Sequence, residues 1–339
     1  MGYIIGIDGG GTKTLGYIGD TDGNILGVFS SGAANYFSIG IDKVKANLEH
    51  VIQSLCKKVQ IDKKDLTLIS LGLAGVDREQ DRKIIMNMIS QIGINCKIIL
   101  NNDAKTALVG AHGQEKGIIL ISGTGSICYG IDSNGRIKRA GGWGHIIDDE
   151  GSAYDIAIKG LKSVIKAFDG RGQKTLLKEK ILKYLHLYSV EELIQFIYSK
   201  ETTKDHIAKI APIVMQSSVE GDNVSKHIMN EAIQSLIDMV IVVINDLDFN
   251  EERVELALTG GVFNNSEIIK QQFIDKVTVQ LQNLNLHRPL FDGAVGSMLI
   301  GWRSLNINYD IKRLKENLKE VVDYEQRSIN ENKAGVQDF

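Results

Sequence analysis

Residues 123–137 read "GTGSICYGIDSNGRI", and they repeat in outline the stretch "GTKTLGYIGDTDGNI" at residues 11–25. At an offset of 112 positions, the two stretches carry Gly, Thr, Tyr, Asp, Gly and Ile at matching places. A repeat at this spacing is too long for a solenoid, whose units span roughly 20–50 residues, and it indicates duplicated domains instead. The sequence therefore predicts two related domains.

Each copy predicts the same order of elements. "YIIGID" and "GIILIS" are typical of buried strands, "GGGTKT" and "GTGS" of glycine-rich turns, and "LGYIG" and "ICYGI" of returning strands. Hairpin turns at "DTDGN" and "DSNGR" lead into a third strand in each copy. Amphipathic helices, such as one predicted over 42–59, alternate with further strands, which indicates an α/β fold.

The predicted domains follow from this pattern. Residues 1–115 form the first domain, and residues 116–325 form the second, with a helical insertion at about 152–246. A polar tail at 326–339 shows no core pattern and is expected to be mobile. A chain of 339 residues suits two domains of ordinary size.

Composition excludes several classes of protein. The net charge of −3 gives no general attraction to nucleic acid. The longest apolar run, "MVIVVI" at 239–244, is too short to cross a membrane, and the first residues lack a signal-peptide pattern. The three cysteines stand far apart and match no metal-ligand spacing. We expect a cytoplasmic protein that binds neither nucleic acid nor membrane.

The two glycine turns are candidate phosphate sites, because exposed backbone N–H groups in such turns form a concave anion site. A single turn of this kind is more often an ordinary hairpin. Two turns facing one cleft would grip successive phosphates of one nucleotide. The Walker and Rossmann motifs are both disfavoured, because a strand rather than a helix follows the first turn.

These motifs resemble the superfamily of actin, heat-shock ATPases and sugar kinases. "GIDGGGTKT", "SGTGS" and "LTGGVFNN" at 258–265 stand in the order of that family's nucleotide motifs, over roughly the first 300 residues. Together with "NND" at 101–103, "GGWGH" and "DEGSAYDIA", they are similar to the N-acetylglucosamine kinase branch, of the BadF/BadG/BcrA/BcrD ATPase type. The resemblance implies duplicated ribonuclease H-like (actin-like ATPase) domains around a nucleotide cleft.

The resemblance also implies roles for individual residues. Asp8 would hold Mg²⁺, and Asp103 would be the general base that takes the proton of the sugar hydroxyl. The implied ATP-binding residues are Gly9, Gly10, Gly11, Thr12, Gly123, Thr124, Gly125, Gly260 and Gly261. The implied sugar-binding residues are Asn35, Asp103, Gly142, Trp143, Asp149 and Ala153.

Other interpretations of the same residues stay open at this point. Asp8 fits a turn carboxylate that caps local amides, and Asp103 fits a helix N-cap. Trp143 fits either a core residue or a stacking surface. Asp148 replaces a glycine of the family pattern, so the backbone there is expected to differ. A negatively charged sugar would need a cation, for which Arg78 and Arg139 are candidates.

The expected function is phosphorylation of an N-acetylated amino sugar by ATP with Mg²⁺, first of all N-acetylglucosamine at its 6-hydroxyl, in a homodimer. N-Acetylmuramic acid, glucosamine and glucose are alternative substrates. An ATPase activator of a dehydratase is an alternative of another class, but it would need paired cysteines for an iron–sulfur cluster. A sugar-sensing repressor would need a DNA-binding module ahead of the first strand, and an actin-type ATPase would form filaments.

Overall fold

The computed structural model describes residues 2–249 and 253–334, with side chains described as far as residue 325. The chain forms two compact units. Unit 1 contains the residues up to Glu115 and those from Pro289 onward, and unit 2 contains Lys116–Arg288.

The strands are β1 (Tyr3–Gly9), β2 (Thr14–Asp20), β3 (Ile25–Ser31), β4 (Leu66–Leu73), β5 (Lys97–Asn102), β6 (Gly117–Ser122), β7 (Ser126–Ile131), β8 (Ile137–Gly141), β9 (Val254–Thr259) and β10 (Leu284–His287). Helices α1 to α4 are Tyr36–Ile39, Ile41–Lys58, Glu79–Ser90 and Asp103–His112. Helices α5 to α10 are Ala153–Phe168, Leu177–Leu185, Glu192–Tyr198, Lys204–Ala208, Ala211–Val219 and Asn223–Asp246. Helices α11 to α14 are Gly261–Asn264, Glu267–Gln280, Gly293–Ser304 and Ile311–Ala334.

The two units have the same sheet topology. In unit 1 the strand order is β3-β2-β1-β4-β5, and in unit 2 the order β8-β7-β6-β9-β10 corresponds to it strand by strand. The first three strands of each sheet pair antiparallel, while the fourth and fifth add on in parallel. The prediction of duplicated ribonuclease H-like domains is confirmed.

The glycine turns differ by one residue. In unit 1, Gly9 pairs with Thr14, so residues 10–13 form the turn. In unit 2, Ser122 pairs with Ser126, so only residues 123–125 form it. The offset of 112 therefore holds for the returning strands, whereas the preceding strands match at an offset of 113.

The core of unit 1 lies on both faces of its sheet. Helices α2 and α3 cover one face, where Leu48, Ile52 and Ile85 are buried against the strands. Helix α13 packs against β1, β4 and α4. A Cβ at Gly296 would lie 1.9 Å from the carbonyl oxygen of Thr106, so a glycine is needed where α13 meets α4.

The end of the chain therefore belongs to unit 1. Residues 289–325, predicted from the sequence to lie in the second domain, pack within unit 1 because α13 supplies a face of its core. The segment predicted as a tail, 326–339, has helical backbone as far as Ala334. Residues 335–339 lie outside the described residues.

Unit 2 buries its core between the sheet and the helices that follow β8. Helices α5, α6, α9 and α10 contribute most of the buried side chains. Helix α10 is long and apolar enough, by length and composition alone, to cross a membrane, but half of its most apolar window is buried inside the protein. A buried core helix satisfies the same criteria, so this is weak support for a membrane span.

Candidate active site

The first glycine turn closes the β1–β2 hairpin in unit 1. The N–H of Gly10 donates to the carbonyl of Lys13 at 3.0 Å, and the N–H of Ala34 donates to the carbonyl of Gly10 at 2.9 Å. A Cβ at Gly11 would have no atom within 4 Å, and Thr12 is exposed. The tip of this turn is therefore open to a ligand.

Asp8 lies directly before this turn, near the carboxyl end of β1. Among the residues that the structure describes, none donates a hydrogen bond to its carboxylate, so the alternative of a turn-capping aspartate has no support. Burial raises the pKa of Asp8 to about 7, with further contributions from the charges of Asp103 and Asp292, against a lowering effect of Lys13. A cation beside Asp8 would offset this unfavourable charge.

The sequence patterns did not predict the segment that faces Asp8, which is the start of α13. Asp292 caps α13 by accepting a hydrogen bond from the N–H of Val295 at 2.9 Å, and its other oxygen accepts one from the Tyr17 hydroxyl at 2.9 Å. A Cβ at Gly293 would lie 2.9 Å from Cγ of Asp8. The helix therefore begins against the Asp8 carboxylate, and only a residue without a side chain fits there.

Asp103 is the first residue of α4, directly after β5. Asn102, not Asp103, caps this helix, because its side chain accepts the N–H of Lys105 at 2.8 Å. Burial and then the charge of Asp77 raise the pKa of Asp103 to about 6, while backbone N–H groups, including that of Ala104, oppose the rise. Its charge also acts on Asp8, so unit 1 brings these two predicted residues together.

Asn35 lies in unit 1 as well. Its side-chain oxygen caps α1 by accepting the N–H of Phe37 at 3.1 Å. Among the described residues, none accepts a hydrogen bond from its amide nitrogen, so that nitrogen is available to a ligand.

The second glycine turn lies in unit 2 and is held by the segment that follows it. The N–H of Gly123 donates to the carbonyl of Gly125 at 2.9 Å, and the carbonyl of Gly123 accepts the N–H of Ala153 at 2.8 Å. The hydroxyls of Ser122 and Ser126 donate to backbone carbonyls of Gly151 and Glu150. The Thr124 hydroxyl donates to Asp205 at 2.8 Å.

Asp149 is buried beside this turn, with a left-handed backbone at φ 64°. A Cβ at Gly125 would lie 2.8 Å from Oδ2 of Asp149, and Oδ1 of Asp149 accepts the N–H of Ser126 at 3.4 Å. Burial raises the pKa of Asp149, whereas the Ser126 N–H and the charge of Lys204 oppose that rise. Asp149 and Ala153, both predicted to bind sugar, thus contact the predicted phosphate turn.

Gly260 connects β9 to α11 at the same turn. Its φ is 101°, and a Cβ there would lie 2.2 Å from the carbonyl oxygen of Ser122. Gly261 begins α11 directly after it. Unit 2 therefore brings the "LTGG" motif against "SGTGS", as two parts of one nucleotide site would require.

Trp143 follows β8 on an exposed loop, and 61% of its surface is accessible. Gly142 before it has φ 75°, and the N–H of Trp143 donates to Asp148 at 3.0 Å. The Arg139 guanidinium lies 4.4 Å from the ring centre. The core alternative for Trp143 is excluded, and Asp148 serves to shape this loop.

His145 contacts Tyr154 edge-on, with 4.8 Å between ring centres.

The described residues contain no group of three or more His, Cys, Asp or Glu side chains placed to hold a metal ion. A metal ion bound by the described residues would thus have few protein ligands, together with phosphate and water. This is the usual situation for Mg²⁺ at nucleotide sites.

Comparisons with known proteins agree with this arrangement. An N-acetylmuramic acid/N-acetylglucosamine kinase of Clostridium acetobutylicum is 41% identical over 300 residues, which cover 88% of this chain and 98% of the relative. An N-acetyl-D-glucosamine kinase of Dictyostelium discoideum is 33% identical, over 89% of this chain and 98% of the relative.

Solved structures show the same fold. A candidate N-acetylglucosamine kinase from Chromobacterium violaceum superimposes with a TM-score of 0.73 at 25% identity, covering 88% of this chain and 99% of that one. A hexokinase of the ROK family from Thermus thermophilus aligns with a TM-score of 0.55 at 17% identity, over 90% of this chain and 100% of that one, which supports the fold alone. The profile of the BadF/BadG/BcrA/BcrD ATPase family matches residues 5–301, and the chain belongs to that family.

Proposed function

We propose that this protein is an ATP-dependent kinase of N-acetylated amino sugars, and that it converts N-acetylglucosamine to N-acetylglucosamine 6-phosphate. Two relatives that match almost over their full length are named as kinases of this sugar. The observation that carries the proposal is the Asp103 carboxyl, half-buried directly after β5 next to the charge of Asp8.

Asp103 is the proposed general base. Phosphoryl transfer needs a group that accepts the proton of the attacking hydroxyl, and a base works best when its pKa lies near the working pH. Burial raises the pKa of Asp103 to about 6, well above that of an ordinary aspartate. The carboxylate is thus ionised at neutral pH and still basic enough to take a proton.

The proposed ATP-binding groups are backbone groups of the glycine turn in each unit. In unit 1 they come from Gly9, Gly10 and Gly11, with the hydroxyl of Thr12 beside them. In unit 2 they come from Gly123 and Gly125, with the hydroxyl of Thr124.

Asp8 is the proposed ligand for Mg²⁺. Its raised pKa and the absence of a hydrogen-bond donor to its carboxylate, among the residues described, fit a position that a cation completes. Mg²⁺ bound with ATP would neutralise charge on the phosphates. The role of this chain's own groups is to hold the phosphates with backbone amides and to place the carboxylate of Asp103 near the sugar hydroxyl.

The proposed sugar contacts are Asn35, Gly142 and Trp143, besides Asp103. The free amide of Asn35 can donate to a hydroxyl, and the exposed indole of Trp143 offers an apolar face to a sugar ring. Asp149 and Ala153 bond to the second turn, so their proposed contribution is to hold that turn and the start of α5 beside the sugar.

N-Acetylmuramic acid is the second candidate substrate, because the Clostridium relative is named for both sugars. This sugar carries a carboxylate, which needs a cation nearby. Arg139 lies on the Trp143 ring and is the proposed partner. Glucosamine is a third candidate, since a glucosamine kinase of Vibrio cholerae is 26% identical over 72% of this chain and 81% of the relative.

A dehydratase activator is the alternative of another class. It would need thiolates that share a cluster. Cys56 and Cys96 both lie in unit 1, but burial raises the pKa of each thiol and so disfavours the thiolate that binds iron, and Cys128 is buried in unit 2. We further propose a cytoplasmic location. We also propose a homodimer, and size-exclusion chromatography with light scattering can check this oligomeric state.

The test is a coupled ADP-release assay with N-acetylglucosamine, N-acetylmuramic acid, glucosamine and glucose, each with and without Mg²⁺. We expect the highest kcat/KM with N-acetylglucosamine and no turnover after chelation. An Arg139→Gln variant, which keeps a long polar side chain, should lose activity on N-acetylmuramic acid alone. Equal ADP release with and without every sugar would contradict a sugar kinase.

A further inference from the structure

Helix α8, which belongs to the helical insertion, contacts the second glycine turn through one side chain. The Thr124 hydroxyl donates to Oδ1 of Asp205 at 2.8 Å, although the two residues are 81 positions apart. Helix α8 is fixed by a capping box between Thr203 and His206 and by the buried side chain of Ile207. Asp205 is therefore held against the turn by a locally anchored helix.

The Thr124 hydroxyl has one proton, and it can donate that proton to only one acceptor at a time. A phosphate oxygen at this turn and the carboxylate of Asp205 are both acceptors, and both are negatively charged. Phosphate at the turn must consequently displace Asp205 from Thr124, or lie next to an unneutralised carboxylate. Lys204, the neighbour of Asp205, is a cation whose charge lowers the pKa of Asp149 beside this turn.

We propose that Asp205 is a positioning residue that competes with nucleotide phosphate for the Thr124 hydroxyl, and thereby weakens nucleotide binding and couples the insertion to it. The inference rests on the proposed function, because it takes Thr124 as a phosphate ligand. Binding of ADP or ATP breaks the bond between Thr124 and Asp205. Helix α8 is then released from the turn.

The experiment measures ADP and adenosine binding by calorimetry for the wild type, Asp205→Ala and Asp205→Asn. Asp205→Ala removes the competing acceptor and should tighten ADP binding about three- to tenfold, the range of one hydrogen bond. Asp205→Asn removes the charge but keeps an acceptor oxygen, so it should tighten ADP binding less. Adenosine, which has no phosphate, should bind with unchanged affinity. Glu201→Gln is the matched control, because it removes one negative charge on an exposed residue four positions away and should leave both affinities unchanged.

Turnover separates this role from a merely structural one. Both Asp205 variants should lower KM for ATP while kcat does not rise, whereas a loosened fold would lower kcat and raise KM. In the wild type, the amides of Ile207 and Lys209, which hydrogen-bond within α8 to Thr203 and Asp205, should exchange faster when ADP saturates the protein.

Three outcomes would overturn the inference. ADP binding that is unchanged or weaker in both Asp205 variants, with normal binding by the wild type, would overturn it and leave the proposed function standing. Slower exchange of α8 amides with ADP would do the same. A wild-type protein that binds no ADP in the presence of Mg²⁺ would overturn the inference and the proposed function together.

Discussion

The two units share a sheet topology but differ in what surrounds their glycine turns. In unit 1, carboxylates gather near the turn, with Asp8 on the strand, Asp292 at the start of α13 and Asp103 after β5. In unit 2, Ser122 and Thr124 stand in the turn region, and both hydroxyls are already bonded within the unit. Unit 2 also has carboxylates at its turn, but Asp149 and Asp205 accept hydrogen bonds from Ser126 and Thr124 of that turn. Among the residues that the structure describes, none donates a hydrogen bond to the Asp8 carboxylate of unit 1, so the two copies differ in whether the carboxylates are bonded to the turn.

This difference suggests a division of labour. Half-buried carboxylates with raised pKa values suit proton transfer and cation binding, as proposed for unit 1. Hydroxyls and backbone N–H groups suit the holding of phosphate, as proposed for unit 2. The following changes test the two halves of this comparison.

The largest effect is expected for Asp103→Asn in unit 1. The amide keeps the shape of the side chain but is not a base, so kcat should fall about 10²- to 10⁴-fold while ADP and sugar binding stay within about twofold. Asp42→Asn, on the exposed start of α2, is the control for the loss of one charge in the same unit. Turnover near the wild-type value would mean that Asp103 is not the general base, and it would contradict the proposed role of unit 1 in proton transfer.

The second test breaks the tight turn of unit 2. Gly260→Ala places a Cβ 2.2 Å from the Ser122 carbonyl oxygen at φ 101°, and we expect a loss of about 3 kcal/mol in the free energy of unfolding. Gly221→Ala is a matched control, because its φ is 102° and its nearest neighbour is 3.9 Å away.

Denaturant titration of both variants separates the two contributions. The control should lose only the cost of the positive φ, about 1 kcal/mol. Equal losses in the two variants would mean that the contact between Gly260 and Ser122 does not constrain unit 2.

Much of this comparison could be predicted from the sequence, and some of it could not. The duplicated strands, the turns and helix α2 follow from local patterns, and the predicted 42–59 agrees with Ile41–Lys58 within one residue. The return of α13 to unit 1 could not be predicted from periodicity, because it depends on packing between segments about 280 residues apart in sequence, such as Asp8 and Gly293.

A signal for that packing was nevertheless present. "FDGAVGSM" at 291–298 combines an N-cap aspartate with two glycines three positions apart, a pattern that allows close approach of a helix to another backbone. The bond between Thr124 and Asp205 leaves no such pattern, because a single polar contact between distant segments has no sequence period. The roles of individual residues were predicted from the resemblance to the kinase family, and those of Asp8 and Asp103 stay predictions until the variants are made.

The third test measures how much the charge of Asp8 lowers the free energy of unfolding. Its folded pKa of about 7 lies above the ordinary 3.8, so the folded state binds more protons between these pH values and its stability falls as pH rises through them. With a chelator at pH 8, Asp8→Asn should be more stable than the wild type by about 2 kcal/mol, less than the full shift implies because the carboxyl is partly exposed.

Thermal unfolding across pH 4–8 checks this prediction. The gain should shrink steadily below pH 7 and disappear only near pH 4, where the carboxyl is protonated in both the folded and the unfolded state. Asp42→Asn should show no such dependence. A less stable Asp8→Asn at pH 8 would mean that the carboxylate makes a favourable contact in unit 1, contrary to the comparison.

The smallest effect is expected in the pH dependence of the wild-type enzyme. A base must be deprotonated to act, and the pKa of Asp103 is raised to about 6 by burial and by the charge of Asp77. We therefore expect kcat/KM to fall about tenfold per pH unit below pH 6 and to level off above it. Asp77→Asn removes the neighbouring charge, so the midpoint should move to lower pH while the plateau stays nearly unchanged. A midpoint that does not move would mean that the low-pH fall in kcat/KM reports another group, and the charge of Asp77 would then not set the basicity of Asp103.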